Sequence, residues 1–207
     1  QPLRIRIRPV MRGRLGGLML GIGAFELGNI AATLLILRAT ELLEPGRGLD
    51  EATQTALLLY TGYNVAATAI SIPAGHVGDR RGVVRVLAAG VLLFGVAYVL
   101  LALTGSSIGM LLAGFVAAGV GIGCVETAEH AAVAAFAPGE LRGSAFGLLA
   151  AVQSFGNLAA SAIAGLLWTL VSPQAAFWYA AAWMALGLAF IATRARRDGS
   201  APSAPAR

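Results

Sequence analysis

Three of the ten acidic residues in this 207-residue chain fall inside long apolar runs, where a carboxyl has unusual chemistry open to it. Glu26 stands near the middle of the run from Leu15 to about Leu37, and Asn29 and Thr33 follow it at helical spacing as a polar stripe on the same face. An ionisable side chain at membrane depth costs about 2.5–3.5 kcal/mol on insertion scales, so it needs a reason to be there. Two readings stand side by side: a carboxyl facing a central cavity that takes up and releases a proton, and a hydrogen-bonded Glu locking two helices together. Arg38 is not its partner on one continuous helix, because the twelve intervening steps at 1.5 Å each separate the two by about 18 Å.

Glu126, Glu129 and His130 form a second group, and their i, i+3, i+4 spacing predicts one shared helix face. A proton relay, a cation site or a gate network near the inner surface all fit that pattern. A metal centre does not, since a single Glu-x-x-Glu-His leaves further ligands to be found and differs from the paired motif of carboxylate-bridged sites. No metal and no cofactor is expected. Tyr63, Asn64, Gln153, Ser154 and Asn157 are further polar groups in mid-run, read either as lining a substrate path or as hydrogen-bonding helix to helix. The run Gly119-Val-Gly-Ile-Gly123 superficially resembles a nucleotide fingerprint, but it follows no strand and lies within an apolar span.

The elements that carry these residues are membrane helices. The chain is 57% hydrophobic and 12% charged, far outside the range of a soluble domain of this size. That excludes a nucleic-acid-binding domain, for no soluble basic face exists. Enzyme signatures are missing too: there is no Gly-x-Ser-x-Gly, no His-Glu-x-x-His and no Cys–His pair at membrane depth, and the single Cys124 forms no internal disulfide. An all-α polytopic membrane protein follows, with spans at about 15–37, 56–74, 83–103, 108–136, 145–170 and 173–193. About 20 residues suffice to cross the hydrocarbon. Residues 1–14 read as a basic, lipid-facing arm, 42–55 as a polar connector, and 194–207 as a disordered tail. Pro173 suits the first turn of the last helix.

Between the second and third spans lies Pro73-Ala-Gly-His-Val-Gly-Asp-Arg-Arg-Gly-Val-Val-Arg85, which reads as a polar hinge with Asp79, Arg80, Arg81 and Arg85 at the mouth of a helix pair. Asp79 there is expected to accept hydrogen bonds from a helix N-terminus. Six crossings put both termini on one side. With them go the arginines of the arm (Arg4, Arg6, Arg8, Arg12, Arg14), the hinge (Arg80, Arg81, Arg85), Arg142, and the tail (Arg194, Arg196, Arg197, Arg207), leaving Arg38 and Arg47 opposite. The positive-inside rule then makes both termini and the hinge cytoplasmic.

The hinge, a G-x-x-x-D-R-x-G pattern from Gly75 to Gly82 with a following base at Arg85, resembles the loop between the second and third helices of each half of major facilitator superfamily transporters. Val77 stands where the family usually has Leu, and Val83 and Val84 where it usually has a basic pair. Phe25-Glu-Leu-Gly-Asn29 with Leu34-Leu-Ile-Leu-Arg-Ala39 is similar to the seventh helix of a drug-efflux-like branch, and Glu126 through Gly147 to its tenth helix and the turn into the eleventh. The resemblance implies the C-terminal six-helix half of a twelve-helix transporter, whose partner is an N-terminal half or a second copy. It also implies that Asp79 reaches into the opposite half, with Arg142 in the same inner gate. Asp79, Arg80, Gly75, Gly82, Arg85 and Arg142 are the gate residues so implied; for the arginines, setting topology is an equal reading.

Together these readings predict a multi-pass protein of a bacterial inner or plasma membrane that exports or exchanges a small organic solute with protons, an antiporter-like efflux device. The rival is a six-helix membrane scaffold without transport of its own. The topology is directly checkable: reporter fusions after His76 and after Ser106 are expected to land on opposite sides of the membrane, and the same compartment for both would remove the sixfold crossing.

Overall fold

Hydrocarbon offers no water to a peptide group, so an apolar run of membrane length has to close its hydrogen bonds within itself. In a computed structural model that describes residues 7–11 and 13–199, the described chain does this as eight α-helices and one 3-10 turn, with no strand among the described residues. They are α1 (Ile7–Val10), α2 (Gly13–Glu26), α3 (Ala32–Arg47), α4 (Leu49–Arg81), α5 (Val83–Leu103), α6 (Ile108–Phe136), α7 (Arg142–Leu170) and α8 (Pro173–Gly199). Among the described residues, five helices are long and apolar enough to cross a bilayer: α4, α5, α6, α7 with the 3-10 turn before it, and α8 as far as Thr193.

The boundaries differ from the sequence reading in four places. Residues 15–37 are not one helix: α2 ends at Glu26, α3 starts at Ala32, and neither alone spans about 30 Å of hydrocarbon at 1.5 Å per residue. The connector expected over 42–55 is helical except at Gly48. The polar hinge is not a loop either, because α4 runs unbroken through Pro73, Gly75 and Asp79 to Arg81. Only Gly82 turns the chain. Gly48 and Gly82 hold φ of 79° and 93°, a left-handed conformation that residues with a Cβ rarely adopt, and each reverses direction in one residue. Finally, the helix of the last span continues to Gly199, so the first residues of the expected tail are ordered as helix, while 200–207 and most of the basic arm lie outside the described residues.

At 33 residues, α4 is about 50 Å long and overshoots the hydrocarbon at both ends. Its first turn carries Asp50 and Glu51 and its last carries Arg80 and Arg81, the signs that the helix dipole favours at each end. The third and fourth spans, 83–103 and 108–136, coincide with α5 and α6, and Pro173 opens α8 as expected.

α5 packs between α6 and α8, α6 between α4 and α5, and α2 against α7 and α8. Lipid supplies little hydrophobic drive between helices, so the contact surfaces rely on close approach. Gly119 and Gly123 bring α6 onto the backbone of Tyr63 and Ala67 in α4, whereas Gly121 meets Gly90 and Phe94 of α5. The glycine run is therefore a wedge with two faces. An aromatic ladder ties the other side: Phe25 to Phe94 at 5.7 Å, Phe94 to Tyr98 at 5.0 Å and Tyr98 to Phe177 at 6.1 Å link α2, α5 and α8. On α7, Gly156 and Ala160 are packed, but Gly165 faces open space.

This contrast gives a stability test. Gly119→Ala forces a methyl into the backbone of α4, and overpacking of this kind costs about 1–3 kcal/mol. Gly165→Ala meets nothing and gains helix propensity. Thermal unfolding in detergent is expected to fall for the first and to hold or rise for the second.

Candidate functional site

The interruption between α2 and α3 frees backbone groups that no helix satisfies, and side chains from three other helices take them up. Tyr179 of α8 donates its hydroxyl to the Leu27 carbonyl at 2.7 Å, and Asn157 of α7 donates to the Asn29 carbonyl at 2.8 Å. The Ile30 N–H donates to the Tyr98 hydroxyl of α5 at 3.2 Å, and the Ala31 N–H to Ser161 of α7 at 2.9 Å. Within the break, Gly28 and Asn29 bond back three residues rather than four, tightening the end of α2. Gly28 also lets α8 press in, since a Cβ there would collide with Trp183, Met184 and the Ala180 carbonyl.

Glu26 is the last residue of α2 and is almost wholly buried. Its Oε2 accepts the Asn29 amide at 3.0 Å, and Gly156 of α7 rests directly against its Cβ. Glu129 of α6 is fully buried; its Oε2 accepts the Gln153 amide of α7 at 2.8 Å, while its Oε1 has no hydrogen-bond partner. Glu26, Glu126 and Glu129 lie within electrostatic reach of one another. One face of α7 therefore serves both buried carboxyls and the break, with Gln153, Gly156, Asn157 and Ser161 at helical spacing.

The expected single face of Glu126, Glu129 and His130 does not form. At 100° per residue, positions three and four apart diverge on either side of the first. Glu129 turns into the bundle, whereas Glu126 and His130 are exposed; His130 Nδ1 lies 2.8 Å from the Glu126 carbonyl oxygen, with its ring against Phe146. Tyr63 is half-buried and stacks on Tyr60 with ring centres 5.4 Å apart, within electrostatic reach of Glu126. Asn64 is exposed and bonds back to its own helix at Tyr60.

Asp79, Arg80, Arg85 and Arg142 are exposed around the turn of Gly82 and the start of α7, with Gly75 one turn earlier inside α4. Asp79 does not cap a helix: α5 starts after Gly82 with no side-chain cap, because α4 holds Asp79 in its own final turns. Arg85 bonds the Arg81 carbonyl, and no ion pair among the described residues joins Asp79 to these arginines. Sequence reasoning missed Tyr98, Ser161 and Tyr179, which hold the break. Ser161 had a signal, four residues beyond Asn157 on the same stripe; Tyr98, set in an apolar run, had none.

Among the described residues, the helical bundle with an interrupted helix and a carboxyl buried at the interruption has the arrangement found in membrane transport proteins. Residues 20–207 match the Major Facilitator Superfamily, and the chain belongs to that family. Over 157 residues, 75% of this chain, it is 32% identical to an uncharacterized MFS-type transporter of Methanocaldococcus jannaschii. The chain spans 38% of that relative's length.

If the break is held as described, Tyr98→Phe leaves the Ile30 N–H with only its local bond to the Gly28 carbonyl at 3.0 Å, and losing one buried hydrogen bond costs about 0.5–1.5 kcal/mol. Expected are a lower unfolding temperature and faster amide exchange at Ile30, with α6 amides unchanged; equal exchange at Ile30 would show that Tyr98 does not hold it.

Proposed function

We propose that this chain is the C-terminal six-helix half of a secondary transporter that exchanges a small organic solute for protons, with Glu26 as the coupling carboxyl. The observation that carries this reading is the position of Glu26: buried, at the end of a half-helix, bonded to Asn29 and pressed by α7. In such a place a change in charge alters contacts with two other elements at once. Discontinuous helices at the midplane are where transporters bind their cargo and couple ions.

The six crossings consist of the α2–α3 pair followed by α4 to α8, with the termini and the Gly82 turn cytoplasmic, as the arginine distribution favours. Asn29, Gln153 and Asn157 work on the carboxyls and the break rather than on substrate directly, while Tyr63 and Glu126 face the path. The face of α4 and α7 that exposes Leu58, Ile72, Phe155 and Leu158 meets the other half of the transporter or lipid. Asp79, Arg80, Arg85 and Arg142, exposed around one end of the bundle, supply the inner gate against that half. Outward transport by a drug-efflux-like mechanism rests on the sequence resemblance of the first and fourth spans.

The test uses proteoliposomes holding the full-length protein and the pH dye pyranine, challenged with amines, carboxylates, sugars and aromatic drugs. One class of solute is expected to move protons, and Glu26→Gln to abolish that movement at unchanged protein level. Proton movement that survives Glu26→Gln would take Glu26 out of the mechanism.

A further inference from the structure

The buried apolar residues of the bundle fall into two cores rather than one. The larger runs through α3, α4, α5 and α8, takes α6 as far as Ala128 and α7 from Ala160 onward, and draws only Phe25 from the buried side chains of α2. The smaller gathers Val10 of α1, Met19 and Ile22 of α2, Val133 near the end of α6, and Ala145 and Leu149 near the start of α7. Half-buried Leu18 touches both.

Polar groups occupy the gap between the two. On α6 Glu129 stands between Ala128 of the larger core and Val133 of the smaller, and on α7 Gln153, Gly156 and Asn157 stand between Leu149 and Ala160. The bond from Gln153 to Glu129, at 2.8 Å, joins the two helices at that level, and Glu26 of α2 rests on Gly156. Close-packed apolar side chains loosen together, because each loses contacts when its neighbour moves. A polar layer interrupts that cooperation.

The smaller core is closed by α1. Arg8, Pro9 and Met11 are exposed, yet Val10 is buried in the cluster, and α1 packs on α7. Gly16 lets the chain lie back on α2, since a Cβ there would collide with the Met11 carbonyl.

We propose that the corner between α6 and α7, together with α1 and α2 as far as Ile22, is a separate cooperative unit that opens as one body along the layer of Glu129 and Gln153, with α1 as the strap that holds it shut. The larger core stays closed while it opens. This holds whether or not Glu26 carries a proton.

Hydrogen–deuterium exchange of the purified full-length protein in nanodiscs, read by mass spectrometry, tests it. Val10→Ala, which trims the strap alone, is expected to speed exchange at least ~fivefold at 15–22, 133–137 and 145–149 together, with 91–101 held within ~twofold. Leu149→Ala is expected to give the same pattern at least ~tenfold. Leu101→Ala, in the larger core, is expected to leave the corner within ~twofold of its original rates. Helix ends that fray independently would confine each acceleration to the substituted helix, and a single undivided core would carry it into 91–101. Either result overturns the proposal, and Val10→Ala decides it alone should Leu149→Ala fail to fold.

Discussion

A peptide group inside a membrane protein has to find its hydrogen bond within the protein, and the architecture of this bundle follows from how that demand is met at one place. From α3 to α8 each helix passes to the next through a turn in which one or a few residues leave helical geometry. The break at Leu27–Ala31 is different, because it lies between two half-helices packed among α5, α7 and α8. Four side chains from those three helices satisfy it. The bundle is arranged so that they can reach.

That requirement explains otherwise unrelated features of the packing. Tyr98 must be buried deep enough to present its hydroxyl to Ile30, and the ring ladder of Phe25, Phe94, Tyr98 and Phe177 holds it there. Gly28 and Gly156 remove side-chain bulk so that α8 and α7 approach the break closely. Asn157 and Ser161 sit one turn apart on α7, the spacing needed to bond Asn29 and Ala31 at once.

The carboxyls gain their meaning from the same arrangement. Glu26 ends α2, so any change in its bonding acts on the geometry of the break. Glu129 reaches the same face of α7 from the opposite side through Gln153. α7 is therefore in contact with both acids and with the interrupted backbone, which makes it the element through which a change at one is felt at the others. α3 is fastened separately, by Arg38 to the Leu101 carbonyl and by Trp168 to the Glu41 carboxylate. The break thus lies between α3, anchored in this way, and the shorter α2.

Much of this was legible beforehand. The helical class, α5 and α6 to the residue, the start of α8 and the pairing of Glu26 with Asn29 all follow from apolar run length, proline chemistry and helical spacing, which are local properties of the chain. The unbroken course of α4 through Pro73 to Arg81 did not follow, since glycines and charges mark a loop only where no neighbouring helix supports continuation. Nor did the split of Glu126 from Glu129, or the break itself. Nothing between Phe25 and Ala31 forbids a helix; it gives way because Tyr98, Asn157, Ser161 and Tyr179, at distances of about 70 to 150 residues along the chain, supply the bonds that the helix would have made. Composition and spacing determined that there would be helices in a membrane with acids inside them, and only long-range packing decided which acid met which partner, because hydrogen bonds between helices depend on rotation and register that a single segment does not encode.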